Sequence, residues 1–427
     1  MSTGLLTAGS GQGWENELVA ALDRPGSPMT VLRRCADIGD VLAVATTGQA
    51  AVAVVSADLR RLDTEAVRSL RAAGVAIVGV HPSADQRARV RLERIGITAL
   101  VPDDAGSDAV VQAARLALAE LDDGRGPDSA RSLSDPRRAL PPRTIDTDTD
   151  TDTALEPPPK GRVVAVWGPT GAPGRTTVAT GLATESARTG VPTLLIDADV
   201  YGGVVASAFG LLDESPGLAG ACRTAANGRL DLEGLTALCW SMENDLRVLT
   251  GISRSDRWPE VRPSAIPLVL AVAREMAPQT IVDCAFALEA DEEITFDTMA
   301  PRRNGATLAV LADADIVLAV GSSDPPGMER LIRGLTELAE VMPEVTARIV
   351  LNRCRPAAAS GDEAVQAVKR FTGASVTAQL PEDREATDKA WRRGVSLDEV
   401  APTSPLTTAL RTLARSVAPR VARPVGG

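Results

Sequence analysis

The stretch Gly168-Pro-Thr-Gly-Ala-Pro-Gly-Arg-Thr-Thr177 decides the fold of the larger part of this sequence. The apolar run Arg162–Trp167 precedes it and is typical of a strand buried in a parallel sheet. A helical pattern from residue 176 to about residue 189 follows it. A strand, a glycine-rich loop and a helix in this order predict a loop whose backbone N–H groups face phosphate oxygens at the positive end of the helix dipole. An ordinary glycine-rich turn is the alternative, and the segments downstream decide between the two.

Two strands downstream of this loop end in aspartate. Pro192-Thr-Leu-Leu-Ile-Asp-Ala-Asp199 is an apolar strand that ends in Asp-x-Asp, and Thr280-Ile-Val-Asp-Cys284 is a second one that ends at Asp283. A carboxylate in such a place holds magnesium through water, and the Thr176 hydroxyl, directly after the basic residue, is placed to ligate the same ion. Aspartate also caps strands at ordinary turns, so the order of the segments carries the argument.

Together with two later segments, these stretches resemble the MinD/ParA-type P-loop ATPases. Ala347-Arg-Ile-Val-Leu-Asn-Arg353 matches the family's base-recognition position at Asn352, and Gln379-Leu-Pro-Glu-Asp383 resembles its late Pro-x-Asp loop beside the base. The resemblance implies ATP and Mg²⁺ as cofactors, with Asp199 positioning the attacking water, Asp197 near the magnesium shell and Asn352 hydrogen-bonded to adenine. The site residues that it implies are, for catalysis, Asp199 and Arg175; for the nucleotide, Gly171, Ala172, Pro173, Gly174, Arg175, Thr176, Thr177, Asn352, Pro381 and Asp383; and for magnesium, partly through water, Thr176, Asp197 and Asp283.

The chain departs from this family at the two positions where its relatives keep lysine. The signature lysine, which in the family reaches across an ATP-sandwiched dimer, is replaced by Thr170, and the P-loop lysine is replaced by Arg175. Arginine keeps the positive charge, but its guanidinium is a bulky planar fork rather than a compact ammonium. A well-placed cation is worth about 10³–10⁵ in the rate of phosphoryl transfer, so we expect ATP and magnesium to bind and hydrolysis to be slow or absent. A substitute cation is hypothesised at Arg302 or Arg303.

A smaller α/β pattern precedes the loop. Five apolar runs alternate with helical patterns, which predicts a doubly wound parallel sheet that resembles a response-regulator receiver domain. The receiver chemistry is missing, because Ser56 stands at the phosphoacceptor position, with Asp58 as a displaced candidate, and Pro102-Asp-Asp104 replaces the expected lysine. We predict a pseudo-receiver used for docking or dimerisation, in which His81 packs or forms a hydrogen bond. The predicted strands are 4–8, 29–33, 51–56, 75–81 and 99–102, and the predicted helices are 14–23, 40–47, 63–73, 84–95 and 107–121.

An acidic segment separates the two patterns. Asp146-Thr-Asp-Thr-Asp-Thr-Asp-Thr153 cannot bury apolar surface and its like charges repel, so residues 122–160 are predicted to be a disordered, extended linker. A calcium site is the alternative, but the glycine turn and the final glutamate of a calcium loop are missing. The predicted fold class is therefore α/β with two doubly wound parallel-sheet domains, a receiver-like domain at 1–121 and a P-loop nucleotide-binding domain at 161–420.

The amino-acid composition limits the cellular locations and the classes of binding partner that we expect for this protein. The net charge of -11 argues against a role in coating nucleic acid, and no apolar run reaches the roughly 20 residues needed to cross a bilayer. The five cysteines are scattered and contain no CxxC pair, so we expect buried free thiols in a cytoplasmic protein. The amphipathic segment 404–417 either packs on its own domain or binds a membrane peripherally, and its lack of aromatic residues favours packing.

The order pseudo-receiver, linker and MinD-like domain resembles two groups of proteins. One is the septum-site-determining (Ssd) proteins of actinobacteria, whose features include the loop at 168–177, Asp199-Val-Tyr-Gly-Gly203 and Ala300-Pro-Arg-Arg-Asn304. The other is the CpaE/TadZ pilus-localisation proteins. The first resemblance implies an ATP-binding spatial regulator of cell division, an ATP-dependent homodimer with septal partners at the septum or the cell pole. One alternative is a localisation factor for Tad pilus assembly with pilus-machinery partners. A second is a ParA-type chromosome-partitioning ATPase, which the acidic net charge disfavours. A third is a non-hydrolysing scaffold with a vestigial P-loop.

Overall fold

The computed structural model describes residues 3–9, 13–24, 27–122, 161–171, 173–211, 217–289, 302–355 and 361–419. These residues form two compact units, one mainly before and one mainly after the predicted linker. The linker at 122–160 lies outside the described residues apart from Asp122, which ends a helix. The domain boundaries at 1–121 and 161–420 stay predictions.

The first unit alternates strands with helices, and the predicted elements are all present close to their predicted positions. Runs rich in valine, isoleucine and leucine form its strands, as expected of a sheet that is covered on both faces. Its elements are β1 (Thr3–Ala8), α1 (Gly13–Leu22), β2 (Met29–Arg34), α2 (Ile38–Ala45), β3 (Val52–Ser56), α3 (Thr64–Ala72), β4 (Ala76–His81), α4 (Gln86–Arg94), β5 (Ala99–Pro102) and α5 (Gly106–Asp122).

All five of these strands pair in parallel, in the order β2-β1-β3-β4-β5. Neighbouring residues of a strand point to opposite faces. Leu5 and Val54 accordingly join a core with α1 and α5, whereas Leu6 and Val55 join a core with α2, α3 and α4. Helices therefore cover both faces, and the predicted doubly wound parallel sheet is confirmed.

The second unit is larger and begins with the strand that the sequence places before the glycine-rich loop. Two short 3-10 helices, Ser255–Glu260 and Pro263–Ala265, precede its fifth α-helix. Its other elements are β6 (Arg162–Trp167), α6 (Arg175–Arg188), β7 (Thr193–Ala198), α7 (Val205–Ala208), α8 (Gly217–Ala226), α9 (Leu232–Leu238), β8 (Trp240–Ser241), β9 (Leu246–Leu249), α10 (Ile266–Met276), β10 (Gln279–Cys284), α11 (Gly305–Asp313), β11 (Ile316–Ser322), α12 (Pro325–Val341), β12 (Ala347–Cys354), α13 (Gly361–Thr372), β13 (Val376–Pro381), α14 (Arg384–Arg393), α15 (Leu397–Val400) and α16 (Pro405–Val417).

The strand order of this second sheet is β13-β12-β11-β6-β10-β7-β9-β8. Every described pair is parallel except β8 with β9, which is antiparallel at one edge. The glycine-rich loop follows the central strand β6, whose neighbours are β10 and β11. Because the carboxyl ends of parallel strands meet at one edge, this order brings the residues that follow β6, β10, β7 and β12 to the same side of the sheet.

The carboxyl-terminal helix α16 packs against its own domain. Leu406, Leu410, Leu413 and Val417 lie on one face of α16 and are all buried in the main core of the second unit. These residues share that core with α6 and with Leu380 of β13. The packing interpretation of segment 404–417 is therefore confirmed, and its apolar face is covered by protein.

Two further sequence expectations can be compared with this fold. All five cysteines lie in the described residues and are free; Cys35, Cys222 and Cys284 are buried, whereas Cys239 and Cys354 are half-buried. The expectation of buried thiols is thus right for three of them. None of the helices in the described ranges has the length and hydropathy needed to cross a membrane.

Candidate functional site

The glycine-rich loop connects β6 to α6 in a conformation that only glycine adopts readily at two positions. Gly171 and Gly174 have φ angles of 97° and 95°, in the left-handed region. Gly168 approaches β11 so closely that a Cβ on it would lie 2.2 Å from the carbonyl oxygen of Val320. Gly174 caps the amino end of α6, so the loop ends at the positive pole of a helix. Ala172, a predicted nucleotide contact, lies outside the described residues.

Arg175, the residue at the P-loop lysine position, turns back onto the loop that carries it. Its Nη1 donates to the carbonyl oxygens of Gly168 and Pro169, each at 3.2 Å, and its Nη2 lies 3.3 Å from Asp199 Oδ2. Only 12% of the Arg175 side chain is exposed, and its guanidinium lies 5.9 Å from the ring centroid of Phe286. The two predicted catalytic residues, Arg175 and Asp199, therefore form an ion pair with each other in this conformation.

Asp197 and Asp199 organise the chain that follows β7. Asp197 accepts backbone hydrogen bonds from Val205 and Asp199, at 3.0 and 3.1 Å, and Asp199 accepts them from Tyr201 and Gly202, at 2.9 and 3.1 Å. Burial is the main cause that raises the pKa of Asp197 from its ordinary value of 3.8 to about 7. Both aspartates thus hold a tight turn beside the glycine-rich loop, and the magnesium role of Asp197 stays a prediction.

Asp283 lies opposite Asp197, its register partner on the neighbouring strand. It is 1% exposed, and neither carboxylate oxygen has a hydrogen-bond partner of standard geometry among the described residues. Burial first, and then the negative charge of Asp197, raises its pKa well above the ordinary range, while the Thr176 hydroxyl and the positive charge of Arg175 act in the opposite direction. A buried carboxylate without a hydrogen-bond partner is stabilised by a cation bound next to it.

The residues at this edge fit a magnesium ion held jointly with phosphate. Within the described ranges, no three histidine, cysteine or acidic side chains are grouped so that they alone could hold a metal. Magnesium usually keeps several waters and binds one or two carboxylates together with substrate phosphates. The unpartnered oxygens of Asp283, with the Thr176 hydroxyl close by, supply the oxygen chemistry that such an ion needs.

The predicted base-binding residues gather around one polar cavity. This cavity has a volume of about 280 Å³ and is bounded on one side by Gly174 and Thr177. Asn352, Pro381 and Asp383 are also part of its wall, so three separate stretches of the sequence, at 174–177, at 352 and at 381–383, meet there. Its size approaches that of ordinary small-molecule sites.

Two of these wall residues also have structural partners. The Asn352 side-chain amide donates to the carbonyl oxygen of Pro173 at 2.8 Å, which ties β12 to the glycine-rich loop. Asp383 caps α14 by accepting from the backbone N–H of Ala386 at 3.0 Å, and it accepts from the Ser404 hydroxyl at 2.6 Å. Their roles in base recognition stay predictions, but each residue clearly shapes the cavity.

The sequence interpretation missed the wall that α14 contributes to this cavity. Arg384, Thr387, Asp388 and Trp391 line it and repeat at the three- and four-residue spacing of one helix face. Trp391 is 37% exposed and contributes a large flat ring to this wall. The helical spacing after Asp383 was the signal available in the sequence.

The hypothesised substitute cations differ in their surroundings. Arg302 is exposed. Arg303 stacks on Tyr201, with its guanidinium carbon 3.9 Å from the ring centroid, and its Nη2 donates to the carbonyl oxygen of Val200 at 3.4 Å. Arg303 is therefore held against the turn that follows Asp199, and its role as a substitute cation stays a prediction.

Residues at or near the receiver positions of the first unit form hydrogen bonds, while the pseudo-receiver role stays a prediction. The Ser56 hydroxyl, at the phosphoacceptor position, donates to Asp58. His81 is buried, with Nδ1 3.0 Å from the carbonyl oxygen of Pro82, so the prediction of a hydrogen-bonded histidine is confirmed. Asp103 accepts from the backbone N–H of Ser83 at 3.1 Å.

Comparisons with known proteins support the fold of the second unit. A family model for the CobQ/CobB/MinD/ParA nucleotide binding domain (CbiA) matches residues 164–394, more than half of the chain. Among solved structures, a ParA family ATPase from Chlorobium tepidum TLS has a TM-score of 0.51 and 18% identity, over 60% of this chain and 99% of that one. The cell division ATPase MinD of Pyrococcus furiosus has a TM-score of 0.48 and 17% identity, over 60% and 98% of the two chains. A search of curated protein sequences finds no significant match.

Proposed function

This chain belongs to the CobQ/CobB/MinD/ParA nucleotide-binding domain family, and from that membership we propose that it is an ATP-binding spatial regulator of cell division. In this proposal the second unit binds ATP with magnesium and hydrolyses it slowly. ATP binding promotes a homodimer, and the receiver-like unit docks a septal partner. The protein then acts as a nucleotide-controlled switch rather than as a fast motor.

The observation that carries the nucleotide proposal is the continuity of the glycine-rich loop with the polar cavity. Gly174 and Thr177 belong both to the loop segment and to the cavity wall. A base in the cavity would therefore have its phosphates over the loop, where N–H groups and the amino end of α6 attract negative charge. Asn352 bonds to Pro173 and so holds this part of the loop against the cavity.

The surroundings of Arg175 support slow hydrolysis. Its guanidinium is engaged by two loop carbonyls and by Asp199, and Thr170 at the signature lysine position is exposed and uncharged. A phosphate must compete with these partners for Arg175, and Asp199 must leave the pair before it can orient water. Magnesium, when bound, supplies charge neutralisation at the phosphates, while Asp283 and Thr176 are the groups that would hold it.

The chain's acidic charge favours a regulator over a DNA-moving ATPase. DNA binding rests mainly on lysine and arginine contacts to phosphates, and a net charge of -11 opposes such contacts. The covered apolar face of α16 supports docking through protein partners rather than through this helix in a membrane.

Nucleotide binding by the full chain is the first test. We expect isothermal titration calorimetry to show ATP binding with magnesium and much weaker binding without it, and light scattering to show a dimer with a non-hydrolysable ATP analogue. Thr176→Val, which removes the hydroxyl and keeps the shape, should weaken magnesium-dependent binding. Thr189→Val, at the other end of α6, is the matched control and should bind like the wild type. Absence of ATP binding by the wild-type chain would refute the proposal and favour a vestigial loop.

Imaging of the tagged full chain in dividing cells tests the spatial role. Accumulation at the division site, lost in Thr176→Val but kept in Thr189→Val, is the expected result. Uniform distribution of both variants and the wild type would contradict a spatial role, and polar foci together with neighbouring pilin and secretion-ATPase genes would favour the pilus alternative.

A further inference from the structure

Helix α12 runs along the glycine-rich loop and contacts it at two points. A Cβ on Gly334 would lie 3.0 Å from Pro169 Cβ and 3.3 Å from the Trp167 ring. Four residues earlier on the same helix, Arg330 reaches Gly171. Residues four apart share one face of a helix, so this face of α12 follows the loop from Pro169 to Gly171.

The Arg330 side chain lies directly against the backbone of Gly171. A Cβ at Gly171 would be 2.5 Å from Arg330 Nη1 and 3.1 Å from both Cδ and Cζ, which no ordinary contact permits. Glycine at this position therefore leaves the space that the guanidinium uses. The glycine also adopts a φ of 97°, so this contact and the loop conformation depend on the same residue.

Rigid elements hold Arg330 in this place. Leu331, the next residue, packs so tightly on β11 that a Cβ on Gly321 would lie 2.5 Å from it. Asp324 caps the amino end of α12 by accepting from the backbone N–H of Gly327 at 2.9 Å. Arg330 itself is exposed, so its charge is available on the outer side of the loop.

Arg330 contacts a part of the loop that does not line the polar cavity. Gly174 and Thr177 line the base cavity, whereas Gly171 does not. A phosphate chain that starts at the cavity and follows the loop therefore ends near Gly171. Arg175 is the cationic residue of the loop segment itself, and its guanidinium is already hydrogen-bonded to Gly168, Pro169 and Asp199.

We propose that Arg330 binds the terminal phosphate of a nucleoside triphosphate held by the same chain, and so supplies the charge that Thr170 lacks. This inference rests on the proposed function, because it assumes that ATP binds the loop. Guanidinium matches phosphate oxygens with two parallel hydrogen bonds and is always charged. ATP has a third, γ-phosphate and ADP does not, so Arg330 favours the binding of ATP over that of ADP.

The test compares Arg330→Gln with Arg333→Gln in the full chain. Arg333 lies on the same helix, is 75% exposed and pairs with Glu329, so its substitution makes the same change of charge away from the loop contact. Dissociation constants for a non-hydrolysable ATP analogue and for ADP are measured by calorimetry with magnesium. Thermal unfolding of each variant checks that the exposed substitutions leave the fold intact.

We expect Arg330→Gln to weaken the ATP analogue by about 10- to 100-fold, the range for hydrogen bonds to charged groups, and ADP by less than about twofold. Arg333→Gln should change neither constant, and Arg330→Lys should recover part of the loss. Equal weakening of both nucleotides, or no weakening in a wild type that binds ATP, would overturn the Arg330 inference alone. A wild-type chain that binds no ATP would overturn both this inference and the proposed function.

Discussion

Replacing Leu410 with alanine should strongly destabilise the second unit, because α16 is part of its core. Leu410 is 1% exposed, and a Cβ on Gly181 of α6 would lie only 2.6 Å from its Cδ1, so the two helices touch closely at this point. Buried Leu→Ala substitutions cost about 2–5 kcal/mol, and the cost rises when the surroundings cannot collapse into the cavity.

Polar contacts keep the surroundings of Leu410 from collapsing. Arg411 Nε donates to the buried carboxylate of Glu185 at 2.8 Å, and Arg162 Nη1 donates to the carbonyl oxygen of Ala418 at 3.0 Å. We therefore expect a loss in the upper half of the range, about 3.5–5 kcal/mol, and a fall in melting temperature on the order of 10 °C.

Urea and thermal unfolding followed by tryptophan fluorescence measure this loss, because fully buried Trp167 reports on the second unit. Thr408→Ala, at an exposed position of the same helix, is the control and should stay within about 0.5 kcal/mol of the wild type. Co-sedimentation with anionic vesicles is measured in parallel. An unchanged stability of Leu410→Ala together with a loss of vesicle binding would refute the packing argument and restore α16 as a membrane helix.

Three further predictions concern the acidic edge and the loop. Asp283→Asn should abolish the magnesium dependence of ATP affinity in calorimetry. In the wild type this affinity should rise with increasing pH, because the raised pKa of Asp283 makes magnesium displace a proton; a pH-independent affinity would contradict this. The pKa of Asp197 is raised to about 7, so the folded state binds more protons than the unfolded state between about pH 4 and pH 7. The nucleotide-free chain should therefore lose up to about 4 kcal/mol of unfolding free energy as the pH rises through that window. Asp197→Asn should reduce this pH dependence in urea titrations at pH 5 and pH 8, and an unchanged pH dependence would count against burial of Asp197 as its cause. Asn352→Ala removes the bond to Pro173 and should weaken ATP and ADP alike by about 5- to 30-fold, whereas a selective loss of ATP would show that Asn352 acts elsewhere.

The strands and helices around the site were predictable because they depend on local patterns. The runs before Gly168, Asp199 and Asp283 formed buried strands as predicted, and the loop at 168–177 precedes a helix. By contrast β11, a buried apolar run that ends at Ser322, was not foreseen, nor was the antiparallel edge pair β8 and β9. The strands β8 and β9 have only two and four residues, which is too short to show a clear periodicity.

The sequence by itself determined that a glycine-rich loop joins a buried strand to a helix, that acidic residues follow neighbouring strands, and that lysine is absent from both expected positions. Only the tertiary structure decided that Arg175 pairs with Asp199, that Asn352 holds Pro173, and that Arg330 lies on Gly171. Periodicity and loop composition act between near neighbours, so one sequence displays them. Each of these three contacts joins residues of different elements, and in two of them the residues are more than a hundred positions apart. Such contacts depend on the order of strands in the sheet and on helix packing, which no local pattern contains.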